Sequence, residues 1–297
     1  MENNFDIKNL TSFKIGGKIK TVYFPENISE FEQILNGHKN IKVFGNLSNI
    51  LISSDGFSGE IILTTKMTSI SIEGIRVIAD AGVKGPKLSQ MVCEAGLSGL
   101  EFMIGFPGSV GGEVYMNASA NGQAISDKLV SATCYNPETG IIKLSKEEME
   151  FEYRKSRAQK DDLIILQAEF ELEPAPVEKI KTKMDENLAF RKAHQPSLAL
   201  PNCGSIFKNP EGDSAGRLLD SIGAKELSEG GAKVWENHAN FIVNNKSATS
   251  LDVLKLMHTM YSKVKKNYNI ELEPEIRFLG DNNEEENELC KILYKIK

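Results

Sequence analysis

Short apolar runs separated by Gly, Asn and Asp alternate through the first 175 residues of the chain. "IKVF" (41–44), "GEIILT" (59–64), "IRVIAD" (75–80), "LVSATCY" (129–135) and "LIILQAEFEL" (163–172) are rich in Val, Ile and Leu and end at turn formers, which predicts strands. "GPKLSQMVCEAG" (85–96) has a different period. Its Leu88, Met91 and Val92 share one face of a helix, with Pro86 in the first turn and Gly96 at the stop. Val177, Ile180, Met184 and Leu188 predict a second helix over about 174–195, leading into a new unit. A third begins at Thr249, where Thr249 and Asp252 form a capping box and Leu251, Leu254, Tyr261, Val264 and Tyr268 form a stripe. "IELEPEIRFL" places Glu275 on a strand next to Ile276, and the last residues, "DNNEEENELCKILYKIK", read as an acidic turn and a short amphipathic tail.

At 297 residues the chain exceeds one ordinary core, so two or three lobes are expected. A net charge of -6 argues against nucleic acid as a partner, since phosphate neutralisation needs basic clusters. The start, "MENNFDIKNL", lacks a signal-peptide core and no run approaches a membrane span, which predicts a cytoplasmic protein without membrane insertion. Cys93, Cys134, Cys203 and Cys290 are scattered, with no CxxC and no His at ligand spacing, so neither a disulfide framework nor a metal site is expected.

Chemistry concentrates in the glycine-rich segments. "EFMIGFPGSVGGEVYMNASANG" (101–122) has neither the Gly-Lys-Ser/Thr ending of a P-loop nor GxGxxG. Its Gly105, Gly108, Gly111 and Gly112, with Pro107 fixing one φ, suit either an anion nest of backbone N–H groups or a turn between packed elements. "VFGNLSNILISSDGFSG" (43–59) gathers Gly45, Asn46, Ser48 and Asn49, and two such loops favour a cofactor with a diphosphate bridge. "NCGSIFKNP" (202–210) offers the Ser205 hydroxyl, the Lys208 cation and the Asn209 amide, without the GxSxG elbow of acyl transfer. "FEYRKSRAQ" (151–159) adds Arg154.

Taken in order, "NLTSFKIGG", "GNLSNIL", "GLEFMIGFPGSVGGEVYMNA", "YRKS", "RKAHQP", "CGSIFKNP", "AGRLLDSIGAK", "GGAKVWENHANFIVN" and "LEPEIRFLG" resemble the UDP-N-acetylenolpyruvoylglucosamine reductases over about residues 8 to 280. The resemblance implies an α+β fold: a two-lobed FAD-binding domain of the PCMH type over 1–175 (lobes about 1–68 and 69–175), a connecting helix at 176–194, a smaller α+β substrate-binding domain at 195–281 and a tail at 282–297. It implies that NADPH reduces FAD and that the flavin delivers hydride to UDP-N-acetylglucosamine enolpyruvate, giving UDP-N-acetylmuramate. The short spacing from "YRKS" to "CGSIF" leaves no room for the tyrosine-bearing loop of the longer subclass, so the resemblance is to the shorter, second type.

Carried over residue by residue, the resemblance makes Arg154, Ser205 and Glu275 catalytic. It puts Gly45, Asn46, Ser48, Asn49, Gly108, Ser109, Gly111 and Gly112 around the FAD pyrophosphate, and Gln195, Lys208, Asn209 and His238 toward the sugar nucleotide or flavin edge. His238 is equally readable as a structural histidine. Four positions depart from the family pattern. Leu47 stands where the first loop has its second glycine, a substitution that costs on the order of 1 kcal/mol if positive φ is needed there. "NASANG" has Ser119 and Asn121 in place of Gly and Tyr, and Ala158 replaces an aromatic. These departures keep open a non-catalytic flavin or sugar-nucleotide-binding protein on the same scaffold, and an FAD-linked oxidase is a third reading.

Overall fold

In the computed structural model, which describes residues 1–38, 40–197 and 199–295, the apolar runs take up strands Lys42–Phe44, Phe57–Leu63, Arg76–Asp80, Leu129–Asn136 and Ile164–Glu171. Helices form at Gly85–Glu94, Val177–His194 and Ser250–Tyr268. The capping box closes as its residues predict. Thr249 Oγ1 accepts the Asp252 N–H at 3.1 Å, and the Asp252 carboxylate accepts the Thr249 N–H at 2.9 Å. The mixture of helices and mostly antiparallel sheets is α+β.

The chain divides into two compact units: a mid-chain unit of Tyr23–Asn46 and Ile61–Arg191, and a terminal unit of Met1–Val22, Leu47–Glu60 and Lys192–Lys297. The mid-chain unit is built on a five-stranded antiparallel sheet in the order Gly140–Ser145, Leu129–Asn136, Ile164–Glu171, Arg76–Asp80, Ile70–Glu73. Ala132, Ala168 and Ala79 stand opposite one another across three of these strands. They share a core with Leu88 and Val92 of the helix Gly85–Glu94 and with Val110 and Val114 of the short helix Val110–Tyr115. Phe102 and Phe170 are fully enclosed there, each contributing about 2 to 3 kcal/mol by burial. A smaller core of Tyr23, Phe31, Ile62, Met67 and Leu166 accompanies the parallel pairing of Lys42–Phe44 with Ile61, Ile62 and Leu63.

In the terminal unit Phe13, Ile15 and Leu51 share a core with Ile206, Phe207, Met257, Met260 and Ile276. The strand Ile50–Ile52 pairs in parallel with Arg277–Leu279, which is why residues so early in the chain group with its last hundred. The tail is a helix, Glu284–Tyr294, whose Cys290 and Leu293 enter the same core. Its buried Glu286 accepts hydrogen bonds from the hydroxyls of Ser53 (2.6 Å) and Ser250, and the Tyr294 hydroxyl donates to the Ile276 carbonyl at 3.0 Å.

Three details differ from the sequence expectation. Asn187, rather than Leu188, joins Ile180 and Met184 on the buried face of Val177–His194, because its Oδ1 accepts from Asn121 Nδ2 at 2.7 Å. Tyr268 is exposed at the end of its helix, where the buried face runs through Val253, Leu254, Met257, Met260, Tyr261 and Val264. Glu275 lies on a bend between the Pro274 bridge to Phe207 and the strand Arg277–Leu279. Among the described residues no helix is long and apolar enough to cross a membrane.

Candidate active site

The glycine-rich loop of the mid-chain unit is zipped to the segment that follows the strand Arg76–Asp80. Val110 N–H donates to Val83 O (2.8 Å), Gly111 N–H to Ala81 O (2.9 Å) and Gly85 N–H to Gly108 O (3.2 Å). A Cβ on Gly111 would lie 2.8 Å from the Ala81 Cβ, one on Gly108 would lie 3.0 Å from Glu113 Oε1, and one on Gly45 would overlap Ser109 Oγ. These three glycines therefore answer to protein neighbours. Gly112 is open, its nearest neighbour being Ser109 Oγ at 3.8 Å, so a group outside the chain can approach the backbone there. Asn46 Nδ2 donates to Pro107 O at 2.5 Å, which brings Gly45 and Asn46 against Pro107–Ser109. Short side chains, turning backbone and the open Gly112 fit a cofactor diphosphate.

Beneath this loop lies Glu113, which the sequence reading passed over. It is only 4% exposed, and neither carboxyl oxygen has a hydrogen-bond partner among the described residues. Burial pushes its pKa up to about 8, so the group is neutral at pH 7. The available signal was a lone carboxylate inside the otherwise small and apolar "GSVGGEVY".

Arg154 occupies a left-handed backbone conformation, φ 57°, in the turn bracketed by the Glu152–Lys155 bridge. Such a conformation persists only where neighbours over-determine it. Asn117 Nδ2 donates to Glu152 O (2.9 Å), Ser156 Oγ to Tyr115 O (2.8 Å), and Gln159 Nε2 to both Tyr115 O (2.7 Å) and Arg154 O (3.1 Å). The guanidinium donates through Nη1 to Ser119 Oγ at 2.8 Å and lies 5.1 Å from the Tyr153 ring centroid. Ser119 begins a two-residue hairpin in which Ser119–Ala120 pairs with Gln123–Ala124. Asn121 (φ 52°) and Gly122 (φ 77°) both take the positive φ of a type I′ turn, for which Asn-Gly is the favoured pair. The two family departures in "NASANG" are thus parts of one local motif.

In the terminal unit Gly204 turns the chain with φ 81°, and Ser205 bridges Phe241. On the two sides of the next residue, Ile206 N–H donates to Asn240 O (3.0 Å) and Glu275 N–H donates to Ile206 O (2.8 Å). Lys208 N–H reaches Glu273 O (2.8 Å) and its ammonium pairs with the Glu273 carboxylate at 2.5 Å. Burial, reinforced by the charge of Glu275, raises the Cys203 thiol well above its ordinary pKa, so it is an unreactive neighbour. Asn240, also passed over in the sequence, is buried and clamps Phe207 from both ends. Its Oδ1 accepts the Phe207 N–H (3.0 Å) and its Nδ2 donates to the Phe207 carbonyl (2.8 Å).

Of the remaining sequence candidates, Asn49, Asn209 and His238 have local partners. Leu47 is buried with φ 52°, the positive φ that the missing glycine would have taken. Ser48 and Asn49 belong to the terminal unit, where Asn49 Nδ2 donates to Glu275 O (3.0 Å) and Asn49 O accepts from Arg277 N–H (3.0 Å). Asn209 Oδ1 accepts the Ala215 N–H at 3.0 Å, at the start of the helix Ala215–Ser221. His238 Nδ1 accepts the Asn240 N–H at 3.2 Å and its ring stands edge-on to Phe241. Burial and the nearby Lys225 lower its pKa, which favours a neutral ring. Gln195 is half-buried just beyond the helix Val177–His194.

Residues 195–279 match the family model described as UDP-N-acetylenolpyruvoylglucosamine reductase, C-terminal domain, and residues 19–145 match that of an FAD binding domain. The chain is 41% identical over 281 residues to the UDP-N-acetylenolpyruvoylglucosamine reductase of Caldicellulosiruptor saccharolyticus, covering 93% of this chain and 90% of that protein. It is 39% identical to the protein of the same name from Latilactobacillus sakei, over 96% and 95% of the two chains. The crystal structure of UDP-N-acetylenolpyruvylglucosamine reductase from Thermus caldophilus superposes with a TM-score of 0.78 at 32% identity, covering 93% of this chain and 97% of that one.

Proposed function

The chain belongs to the UDP-N-acetylenolpyruvoylglucosamine reductase family, and on that premise we propose which of its side chains carry the reaction. The activity is the flavin-dependent reduction of UDP-N-acetylglucosamine enolpyruvate to UDP-N-acetylmuramate with NADPH, in peptidoglycan precursor synthesis. Bound FAD would supply the hydride-carrying chemistry that links NADPH to the enolpyruvyl group.

Hydride addition to an enol ether conjugated with a carboxylate drives negative charge onto that carboxylate, and a fixed cation there lowers the barrier. Arg154 supplies it, its planar fork matching the two carboxylate oxygens. Ser205 delivers the proton to the carbon next to the site of hydride addition. A serine hydroxyl is a weak acid, so its competence comes from being held beside a strongly basic carbon. Glu275 assists by hydrogen bonding or by sharing that proton. The observation that carries this reading is the backbone ladder that sets Glu275 one residue out of step with Ser205, through the Glu275 N–H to Ile206 C=O bond.

Asn46, Ser109 and Gly112 are the residues we assign to the FAD diphosphate, with Gly45, Gly108 and Gly111 shaping their loops. Ser48 stays with this group by resemblance, while Asn49 supports the Glu275 segment. Lys208 and Gln195 face the sugar nucleotide in this reading, and Asn209 and His238 shape the turns around it. FAD binding belongs mainly to the mid-chain unit and substrate binding to residues 195–281. A cytoplasmic location fits the four free, buried cysteines.

The test is a pair of spectra taken without oxygen. The FAD-loaded protein is bleached by NADPH, and adding UDP-N-acetylglucosamine enolpyruvate restores the oxidised flavin absorbance with stoichiometric UDP-N-acetylmuramate. A protein that binds FAD and the sugar nucleotide but passes no hydride to it overturns the reading.

A further inference from the structure

We propose that Ser119 is a positioning residue for Arg154: its hydroxyl sets the plane in which the guanidinium meets the substrate carboxylate. The inference rests on the role given to Arg154 above. The family pattern has glycine at this position, which offers no side-chain acceptor. Here the Ser119 Oγ accepts from Arg154 Nη1 at 2.8 Å.

A guanidinium at the end of a long flexible side chain acts as a bidentate fork only if its plane is fixed. The backbone of Arg154 is already held by Gln159, whose amide joins Arg154 O to Tyr115 O. Fixing the far end of the side chain requires an acceptor that is itself immobile. Ser119 meets this condition, because it pairs with Ala124 in a hairpin closed by two positive-φ residues. Asn121, at the tip of that hairpin, is tied to the buried Asn187 of the helix Val177–His194 at 2.7 Å.

The choice of a hydroxyl also matters. An Asp or Glu at 119 would hold the guanidinium and cancel its charge, leaving little for the substrate. A neutral serine orients the cation and leaves that charge in place.

Anaerobic stopped-flow of the FAD-loaded protein tests the proposal by separating its two half-reactions. In Ser119→Ala and Ser119→Gly, FAD affinity, melting temperature and flavin reduction by NADPH match the wild type, whereas reoxidation by the enolpyruvyl substrate slows about tenfold. Ser119→Thr, which keeps the hydroxyl, restores the rate. Arg154→Lys is slow in the same half-reaction, and adding Ser119→Ala to it produces no further loss, because a lysine has no plane to orient. A Ser119→Ala protein at the wild-type rate beside a slow Arg154→Lys overturns the positioning role alone. A fast Arg154→Lys overturns the assigned role of Arg154 and the proposal with it. Equal losses in both half-reactions of Ser119→Ala, or a lowered melting temperature that accounts for them, assign Ser119 to folding and overturn the proposal.

Discussion

Arg154 sits in a left-handed turn pinned by the side chains of Asn117, Ser119, Ser156 and Gln159, whereas Ser205 and Glu275 are placed chiefly by main chain, through the Ser205–Phe241 bridge and the bonds from Ile206 N–H to Asn240 O and from Glu275 N–H to Ile206 O, with the Asn49 amide as one added pin. Side-chain pins are modular, so one can be removed while the strand or helix beneath it persists. A ladder is part of the fold, so weakening it weakens the unit. Substitutions around Arg154 should therefore register in rate, and substitutions around Ser205 and Glu275 in stability, unless they remove the reacting group itself.

The largest expected effect tests that last condition. Ser205→Ala and Arg154→Ala each slow substrate-driven flavin oxidation by about 10³-fold, with flavin reduction by NADPH and the melting temperature unchanged. A drop in melting temperature for Arg154→Ala would break the claim that its turn is only pinned. Next, Asn240→Ala leaves the buried Phe207 N–H and carbonyl without their side-chain partner and costs about 3 kcal/mol in urea unfolding. A variant as stable as the wild type would show that the ladder does not depend on this clamp.

The smallest effect concerns the neutral acid under the glycine-rich loop. Glu113 ionises near pH 8 in the folded chain against an ordinary 4.5, so between these values the unfolded chain holds fewer protons than the folded one. Stability therefore falls as pH rises through that window, by about 1.4 kcal/mol per pH unit, and levels off above it. Glu113→Gln abolishes the slope. It gains about 2 kcal/mol at pH 8 once the unmet bonds of the buried amide are subtracted, and by the same subtraction loses about 1 to 2 kcal/mol at pH 5. Parallel urea midpoints for both proteins across pH 5 to 9 would contradict the buried, neutral carboxyl.

Local pattern was readable where local physics decides. The Thr249–Asp252 box and the strand runs around Val77 and Ala168 formed as their spacing predicts, because neighbours in sequence settle them. Grouping of Ile50–Ile52 with Arg277–Leu279 rests on a parallel pairing across more than two hundred residues, which no period encodes. The resemblance singles out Arg154, Ser205 and Glu275, but not their supports. Gln159 and Asn240 look like ordinary polar residues until their partners are known, and Ser119 stands out only as a departure from the family pattern. Asn49 carries a contact that its glycine-rich neighbourhood does not announce, its amide donating to the Glu275 carbonyl.

The positive φ of Arg154 has a consequence for how this position varies. A β-carbon there crowds the main chain at a cost of about 1 kcal/mol, which glycine would relieve. A library sorted for cellular abundance would drift toward glycine at 154, while one sorted for turnover would keep arginine. Leu47 shares the strained geometry, but its enclosed side chain returns what the backbone loses, so abundance alone retains it. Comparing the two selections would separate residues kept for the reaction from residues kept for the fold.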